Sequence, residues 1–139
     1  MYFLGKPLKY VYPVDHKTRF FKKGCVDFPR HVHAHPVVTG HVLTLPMEER
    51  FMVRHYVADS ISRLLEKFDR YTTDEARHMH EDKKTGFKKW YLIEKPVAEF
   101  KNRFLLKGYR DGMEGFIFSV LMAFYRFLTY SKLWELERK

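Results

Sequence analysis

The spacing of apolar residues changes near residue 47, and this change divides the chain into two predicted regions. Before it, short runs of β-branched and aromatic residues are interrupted by glycine and proline, which is typical of strands. After it, apolar residues recur with the 3.6-residue period of a helix. The pattern predicts an α+β fold, with a β-rich region over 1–56 and a region of three or four helices over 57–139.

Several short antiparallel strands are predicted in the first region. Each run ends at a proline or a turn, and Lys22-Lys23-Gly24 has turn chemistry. The runs are too few and too polar to predict a barrel of their own. They cover residues 8–14, 18–21, 30–35 and 37–45.

The second region begins with a predicted amphipathic helix. Asp59 or Ser60 can cap its N-terminus, and one stripe carries its apolar side chains, which are Ile61, Leu64, Leu65 and Phe68. Thr72 or Thr73 is predicted to begin another helix, because acidic residues follow where the helix dipole favours them. The charged stretch 80–89 is predicted to be an exposed loop.

Two further helical elements follow. Residues 90–106 are amphipathic, and Pro96 either kinks this element or begins a new helix. Residues 112–137 form a long helix with no charge from Gly115 to Tyr125, so it is apolar on every face and needs a cover of protein or lipid. Since a membrane span needs about 20 apolar residues, the sequence predicts either a core helix or a helix lying in the membrane interface.

Composition narrows the possible partners. Lysine and arginine outnumber aspartate and glutamate by 26 to 17, which gives a net charge of +9 and favours anionic partners such as phospholipid surfaces. The charges are scattered and no recognition motif for nucleic acid is present, so we do not expect a nucleic-acid binder. Aromatic residues at 17% suit a core, a partner surface or a membrane interface.

Histidines are the most chemically suggestive residues of the first region. His31, His33 and His35 alternate along a predicted strand, so their imidazoles would share one face. With His41 or His55 they could bind zinc or a similar divalent ion. Neighbouring histidines on one strand face lie about 6–7 Å apart, which is long for a shared metal, so a solvated histidine-rich strand is the open alternative.

The remaining candidates for chemistry are few. Lys107 and Arg110 flank a glycine-rich turn before a helix N-terminus, which suits either an anion site or an ordinary loop. The sequence has no glycine-rich phosphate loop, G-x-S-x-G or H-E-x-x-H motif. Cys25 is the single cysteine. Because it lies beside Val26 and Phe28, we expect its thiol to be structural. No signal-peptide pattern follows Met1, so we expect a cytoplasmic location.

Taken in order, several segments resemble the C-terminal part of bacterial family 2 glycosyltransferases, in particular those related to lipopolysaccharide-core glucosyl and heptosyl transferases. The resemblance covers nearly the whole chain. Its most specific motifs are H-Y-x-x-x-S-I-x-x-x-x-x-K-x-x-R-Y-T over 55–72 and R-D-G-x-x-G-F over 110–116. The other segments are RFFKKG at 19–24, RHVHAHP at 30–36 and the apolar run that follows residue 116.

The resemblance implies a GT-A fold and an inverting transfer of sugar from a nucleotide-sugar to a cell-envelope glycolipid or polysaccharide. In that family a D-x-D motif holds a divalent metal, Mg or Mn, against the diphosphate. This sequence contains no D-x-D. It therefore resembles the acceptor-side remainder with a helical extension, and by itself it is expected to bind no metal and to transfer no sugar.

The resemblance also implies roles for single residues. His55 matches a histidine that helps to hold the metal. Ala34 stands where the family often has an acidic catalytic base, so His33 or His35 would serve near the acceptor hydroxyl. Lys107 and Arg110 would bind the acceptor or another anion.

Membrane contact is the last expectation from the resemblance. The helices from residue 90 onward would dock peripherally on the anionic inner face of the cell membrane, with five aromatic residues at the interface: Trp90, Phe116, Phe124, Tyr130 and Trp134. The rival hypothesis is a non-catalytic module whose last helix packs against a partner or a second copy, and exposed apolar surface makes a homo-oligomer the expected state.

Overall fold

A computed structural model describes residues 1–12, 16–29, 35–82, 86–105 and 107–138. It confirms the α+β class, because short strands come first and three helices follow, the last of them long and apolar. The strands are β1 (Tyr2–Phe3), β2 (Lys6–Pro7), β3 (Val26–Asp27), β4 (Val37–Val38) and β5 (Tyr56–Ala58). The helices are α1 (Ile61–Asp82), α2 (Tyr91–Phe100) and α3 (Gly112–Glu137).

The strands form two small sheets. In the first, β1 lies between β2 and β5, pairing antiparallel with β2 and parallel with β5. Leu4 and Gly5 connect β1 to β2 with φ of 48° and 81°, the left-handed pair that a tight type I′ hairpin requires. In the second, β3 pairs antiparallel with β4.

Two of the four predicted strands, 8–14 and 18–21, are wrong, and a third is shorter than predicted. Residues 8–12 bend instead of extending, because the backbone N–H groups of 9–11 bond to a distant carboxylate. Residues 18–21 pair with no strand, and only Val37–Val38 forms one within 37–45. Residues 30–34 lie outside the described residues, and His35 after them is exposed and not in a strand.

One continuous helix, α1, replaces the two that were predicted over 59–82. Ser60 caps it as predicted, since its Oγ accepts the N–H of Arg63 at 3.2 Å. A new start at Thr72 or Thr73 is wrong: the Thr72 and Thr73 hydroxyls donate to carbonyls one turn earlier, at 2.6 and 2.7 Å, and so remain inside the helix. The buried face recurs every fourth residue, at Leu64, Phe68, Thr72 and Ala76.

The α2 and α3 helices form an antiparallel pair. Phe104 contacts Phe116 near one end and Tyr91 contacts Tyr130 near the other, with ring centroids 5.4 and 5.3 Å apart. Pro96 lies inside α2, which continues through it into a π-helical turn at Lys101–Leu105. The predicted exposed loop over 80–89 is shorter than expected, because α1 extends to Asp82.

The core consists of two clusters on the helices. The larger one combines Phe3, Leu8 and Val11 with residues of α1 and α3, namely Leu64, Phe68, Phe118 and Tyr125. The smaller one contains Ala76, Tyr130 and Leu133. Residues 1–12 are thus part of the helical core, whereas none of the described residues from 16 to 63 is buried. The division at residues 56 and 57 stays a prediction.

We expect Gly115→Ala to destabilise the protein by about 1–3 kcal/mol. A Cβ at this position would collide with the carbonyl oxygen of Gly108 and lie 2.7 Å from Asp111 Cβ, which outweighs the gain of about 1 kcal/mol that alanine brings to a helix. Urea denaturation followed by circular dichroism measures the change. Gly86→Ala is the matched control, because its Cβ would meet no atom within 4 Å. Equal stability of the two variants would contradict the packing described.

Candidate functional site

The turn before α3 holds the N-terminal segment through one carboxylate. Asp111 accepts hydrogen bonds from three consecutive backbone N–H groups, those of Lys9, Tyr10 and Val11, at 3.0, 2.8 and 2.8 Å. Successive N–H groups that converge in this way form an anion-binding concavity. Here the anion is the protein's own side chain, so Asp111 acts as a clamp between residues 9–11 and α3.

The glycines of R-D-G-x-x-G-F serve the same junction. Gly112 has φ of 68°, a left-handed conformation that glycine adopts without strain. Gly115 and Gly108 are buried at close backbone contacts that leave no room for a Cβ. Backbone conformation and close packing therefore explain Gly112 and Gly115 of this motif, and the clamp explains Asp111.

Lys107 and Arg110, the predicted anion-binding pair, lie on the surface of this turn. The Arg110 N–H donates to the Lys107 carbonyl at 2.9 Å, and the Arg110 guanidinium lies 4.4 Å from the centroid of the Tyr10 ring. The first turn of α3 already carries Glu114, whose pKa is lowered by a hydrogen bond from Lys6. An acid of the protein thus already interacts favourably with the helix dipole. Anion binding by Lys107 and Arg110 stays a prediction.

A partly buried polar network joins the three helices. Arg126 of α3 donates to Glu75 of α1 at 2.8 Å and to Glu99 of α2 at 3.3 Å. The Tyr125 hydroxyl also donates to Glu75, and Arg103 pairs with Glu99. Burial alone would lower the pKa of Arg126, but the two carboxylates outweigh it and raise the pKa. In the sequence, Arg126 is recognisable only as the residue that ends an uncharged run, and no local pattern predicts its pairing with Glu75 and Glu99.

The predicted catalytic and metal-binding histidines are not brought together in the described residues. His33 lies outside them, and His35 is exposed. His55 is exposed beside β5, and its pKa is lowered by partial burial and by the positive charges of the N-terminus, Arg19 and Lys67.

These surroundings do not fit a divalent cation. Although a neutral imidazole is a good ligand, the nearby charges would repel the metal. In the described part of the chain, no group of three or more His, Cys, Asp or Glu side chains could hold a metal ion. The catalytic role of His33 or His35 and the metal role of His55 stay predictions.

An aromatic face runs along α3. Five of its exposed side chains fall within about 80° of arc at 100° per residue, and we name these five the α3 stripe: Phe116, Val120, Phe124, Phe127 and Trp134. Phe116, Phe124 and Trp134 belong to the predicted interface, and so does Trp90, which is exposed just before α2. Val120 and Phe127 were not predicted to be part of this face, although their helical spacing from Phe116 identifies them.

Tyr130 requires a correction. Only 9% of it is exposed, and it lies in the smaller core cluster against Tyr91. It lies about 40° outside the arc of the stripe at 100° per residue, on the side that packs against Ala76 of α1 and Tyr91 of α2. Its ring therefore cannot contact lipid while α3 stays packed.

The α3 stripe borders an open, mostly apolar pocket of about 450 Å³, lined by Leu92, Phe127, Ser131, Lys132, Trp134 and Glu135. Within the described residues, Gly108–Glu137 is a helix long and apolar enough to cross a membrane, and 33% of its most apolar stretch is buried inside the protein. The core helix of a soluble protein has the same length and composition, so these properties alone do not decide between the two environments.

The comparison with known proteins gives one informative relative. The chain is 33% identical over 86 residues to an uncharacterized glycosyltransferase of Rickettsia typhi. The matched stretch is 61% of this chain but 29% of the relative, so the chain spans less than a third of that protein. No family model matches the chain, and no solved structure matches it. The similarity indicates a glycosyltransferase-related region.

We expect Asp111→Ala to destabilise the protein by about 2–3 kcal/mol, because three N–H groups lose a charged acceptor. Glu66→Ala is the control, since Glu66 is an exposed acid of α1. Urea denaturation measures stability, and the rate of tryptic cleavage at Lys9 reports release of the segment. Cleavage at the wild-type rate would show that Asp111 does not hold residues 9–11.

The His55 imidazole should titrate below its ordinary pKa of about 6.5, so that near pH 6 it is less protonated than a free histidine. Proton NMR of the ring resonances measures the midpoint. Lys67→Ala removes one of the neighbouring positive charges and should raise the pKa, whereas Lys101→Ala, a change of an exposed lysine in the π-helical turn, should leave it unchanged. A midpoint at or above 6.5 would refute the electrostatic description of this site.

Proposed function

We propose that this chain is the acceptor-side, C-terminal region of an inverting family 2 glycosyltransferase of GT-A type. The intact enzyme would transfer a sugar from a nucleotide-sugar to a cell-envelope glycolipid or polysaccharide. The observation that carries this proposal is the 33% identity over 86 residues to the Rickettsia typhi glycosyltransferase. The order of the motifs along the chain supports the finer assignment.

The chemistry of transfer would depend on residues outside this chain. The sequence has no D-x-D, and the positive charges around His55 make it a poor metal site on its own. In the intact enzyme, Mg or Mn would be held mainly by a D-x-D-bearing half, with His55 at the edge of that site. His33 or His35 would lie near the acceptor hydroxyl, and this chain alone would be inactive.

The helical region would hold the enzyme on the inner face of the cell membrane. The α3 stripe offers an apolar face, and Arg126 does not interrupt it because its guanidinium is directed to Glu75 and Glu99. Exposed cations lie at both ends of α3, with Lys107 and Arg110 before it and Arg138 after it. An apolar face flanked by cations fits an anionic lipid surface.

A second candidate uses the same stripe for protein contact. Five neighbouring apolar side chains on one helix would also suit a second copy of the chain, and a non-catalytic, self-associating module would present such a face. Light scattering in detergent-free buffer separates the two. A defined dimer abolished by stripe substitutions favours the module, and a monomer that binds vesicles favours the membrane.

Deleting the chain from the cells that produce it should remove one sugar from an envelope glycolipid or polysaccharide. Mass spectrometry of the extracted glycans would show a loss equal to one glycosyl unit, restored by the wild-type chain. Restoration should fail with Gly115→Ala if that variant unfolds in the cell, and Gly86→Ala should restore the glycan fully. Identical glycans with and without the chain would refute a role in sugar transfer.

Replacing Phe116 and Phe124 with serine should weaken binding to vesicles containing phosphatidylglycerol by at least about tenfold, because apolar burial in the interface is lost. Co-sedimentation measures the binding. Leu43→Ser is the control, since Leu43 is more exposed than either phenylalanine but lies outside the stripe. Binding that is insensitive both to the stripe and to lipid charge would eliminate the membrane role.

A further inference from the structure

A basic and aromatic turn lies apart from the α3 stripe. Residues 16–24 read HKTRFFKKG, with four lysines or arginines and no acidic residue. We name residues 19–23 the basic turn. Its cations, Arg19, Lys22 and Lys23, are all exposed, and the described part of the chain offers none of them an ion pair.

One aromatic ring of the basic turn, that of Phe20, projects into solvent. The Cys25 N–H donates to the Lys22 carbonyl at 3.0 Å, and Gly24 has φ of 85°, so the chain reverses tightly after Lys22. Phe21 is braced by Phe28, with ring centroids 5.5 Å apart. Phe20 is 92% exposed, the highest value among the large apolar side chains of the described residues.

We propose that the basic turn is a lipid-contacting element that inserts Phe20 into an anionic membrane surface. A fully exposed phenylalanine gains by leaving water, and aromatic rings settle at the headgroup level of a bilayer. The flanking Arg19, Lys22 and Lys23 are attracted to anionic headgroups, each with a favourable contribution near the surface. Charge complementarity thus selects anionic lipid as the occupant, and Phe20 anchors the turn.

This element shares its partner with the proposed function but depends on different residues. The α3 stripe supplies apolar area along a helix, whereas the basic turn supplies a single projecting ring within a cluster of cations. A membrane contact at the turn would also hold residues 16–55, none of whose described side chains belongs to either core cluster. The two contacts can therefore be tested separately in the same chain.

The sole native cysteine allows a site-specific probe. In a Cys25→Ser background, Phe20→Cys carries an environment-sensitive nitrobenzoxadiazole dye, and Leu43→Cys carries the same dye as the matched control at another exposed apolar position. Vesicles containing phosphatidylglycerol should shift the emission at position 20 to shorter wavelength and leave position 43 unchanged. Vesicles of phosphatidylcholine alone should shift neither.

Charge reversal provides the second measurement. Lys22→Glu combined with Lys23→Glu should weaken co-sedimentation with anionic vesicles at least tenfold, while Arg70→Glu with Arg77→Glu, a paired reversal of exposed arginines on α1, should have a smaller effect. If position 20 shows no shift while the protein still sediments with anionic vesicles, the inference is wrong and the α3 stripe alone explains binding. If the turn binds duplex DNA or heparin but its dye does not respond to vesicles, the inference is also wrong, and the turn binds polyanions. Failure of the whole protein to bind anionic vesicles overturns both membrane proposals but not sugar transfer.

Discussion

The guanidinium of Arg126, held between Glu75 and Glu99, is the interaction on which the helical body depends. It joins α1, α2 and α3 at one point, and Tyr125 and Arg103 extend the network. Removing one member of such a partly buried set leaves the others without a counter-charge, which costs more than the pair contributes when intact. The network also fixes the rotation of α3. With Arg126 turned inward, Tyr130 and Leu133 are buried and the uncharged stripe faces outward.

A second constraint fixes the N-terminus to this body. The Asp111 carboxylate binds the backbone of residues 9–11, and this brings Leu8 and Val11 into the core beside Phe118. None of the described residues from 16 to 63 is buried, although β5 pairs with β1 and its Val57 and Ala58 pack against the core. The molecule therefore combines a helical body with a largely exposed stretch rich in apolar and basic side chains.

The helices were predictable because the information is local. A 3.6-residue period and a serine cap are sufficient to place the start of α1, and the long apolar run places α3. The failures involve contacts between distant residues. Residues 8–12 have strand composition, but a carboxylate about 100 positions away takes their N–H groups. Thr72 has the residue type of a helix cap, but its hydroxyl donates a hydrogen bond to the Phe68 carbonyl inside α1. Tyr130 fits an interfacial aromatic residue by type alone, and only the rotation of α3 shows that it is buried. The Arg126 network was not predictable, because Arg126, Glu75 and Glu99 come from three different helices.

The tryptophans offer the most direct measurement of the proposed contact between lipid and the surface formed by Trp90 and the α3 stripe. The chain has two, Trp90 before α2 and Trp134 on α3, and both are exposed. Leu92, close to Trp90 in sequence, lines the same pocket as Trp134. Intrinsic fluorescence is recorded with anionic vesicles whose acyl chains carry bromine, a short-range quencher. We expect the emission to shift to shorter wavelength on vesicle binding and to be strongly quenched by the brominated lipid. Unchanged emission and no quenching, for protein shown to be bound to the vesicles, would contradict the proposed contact.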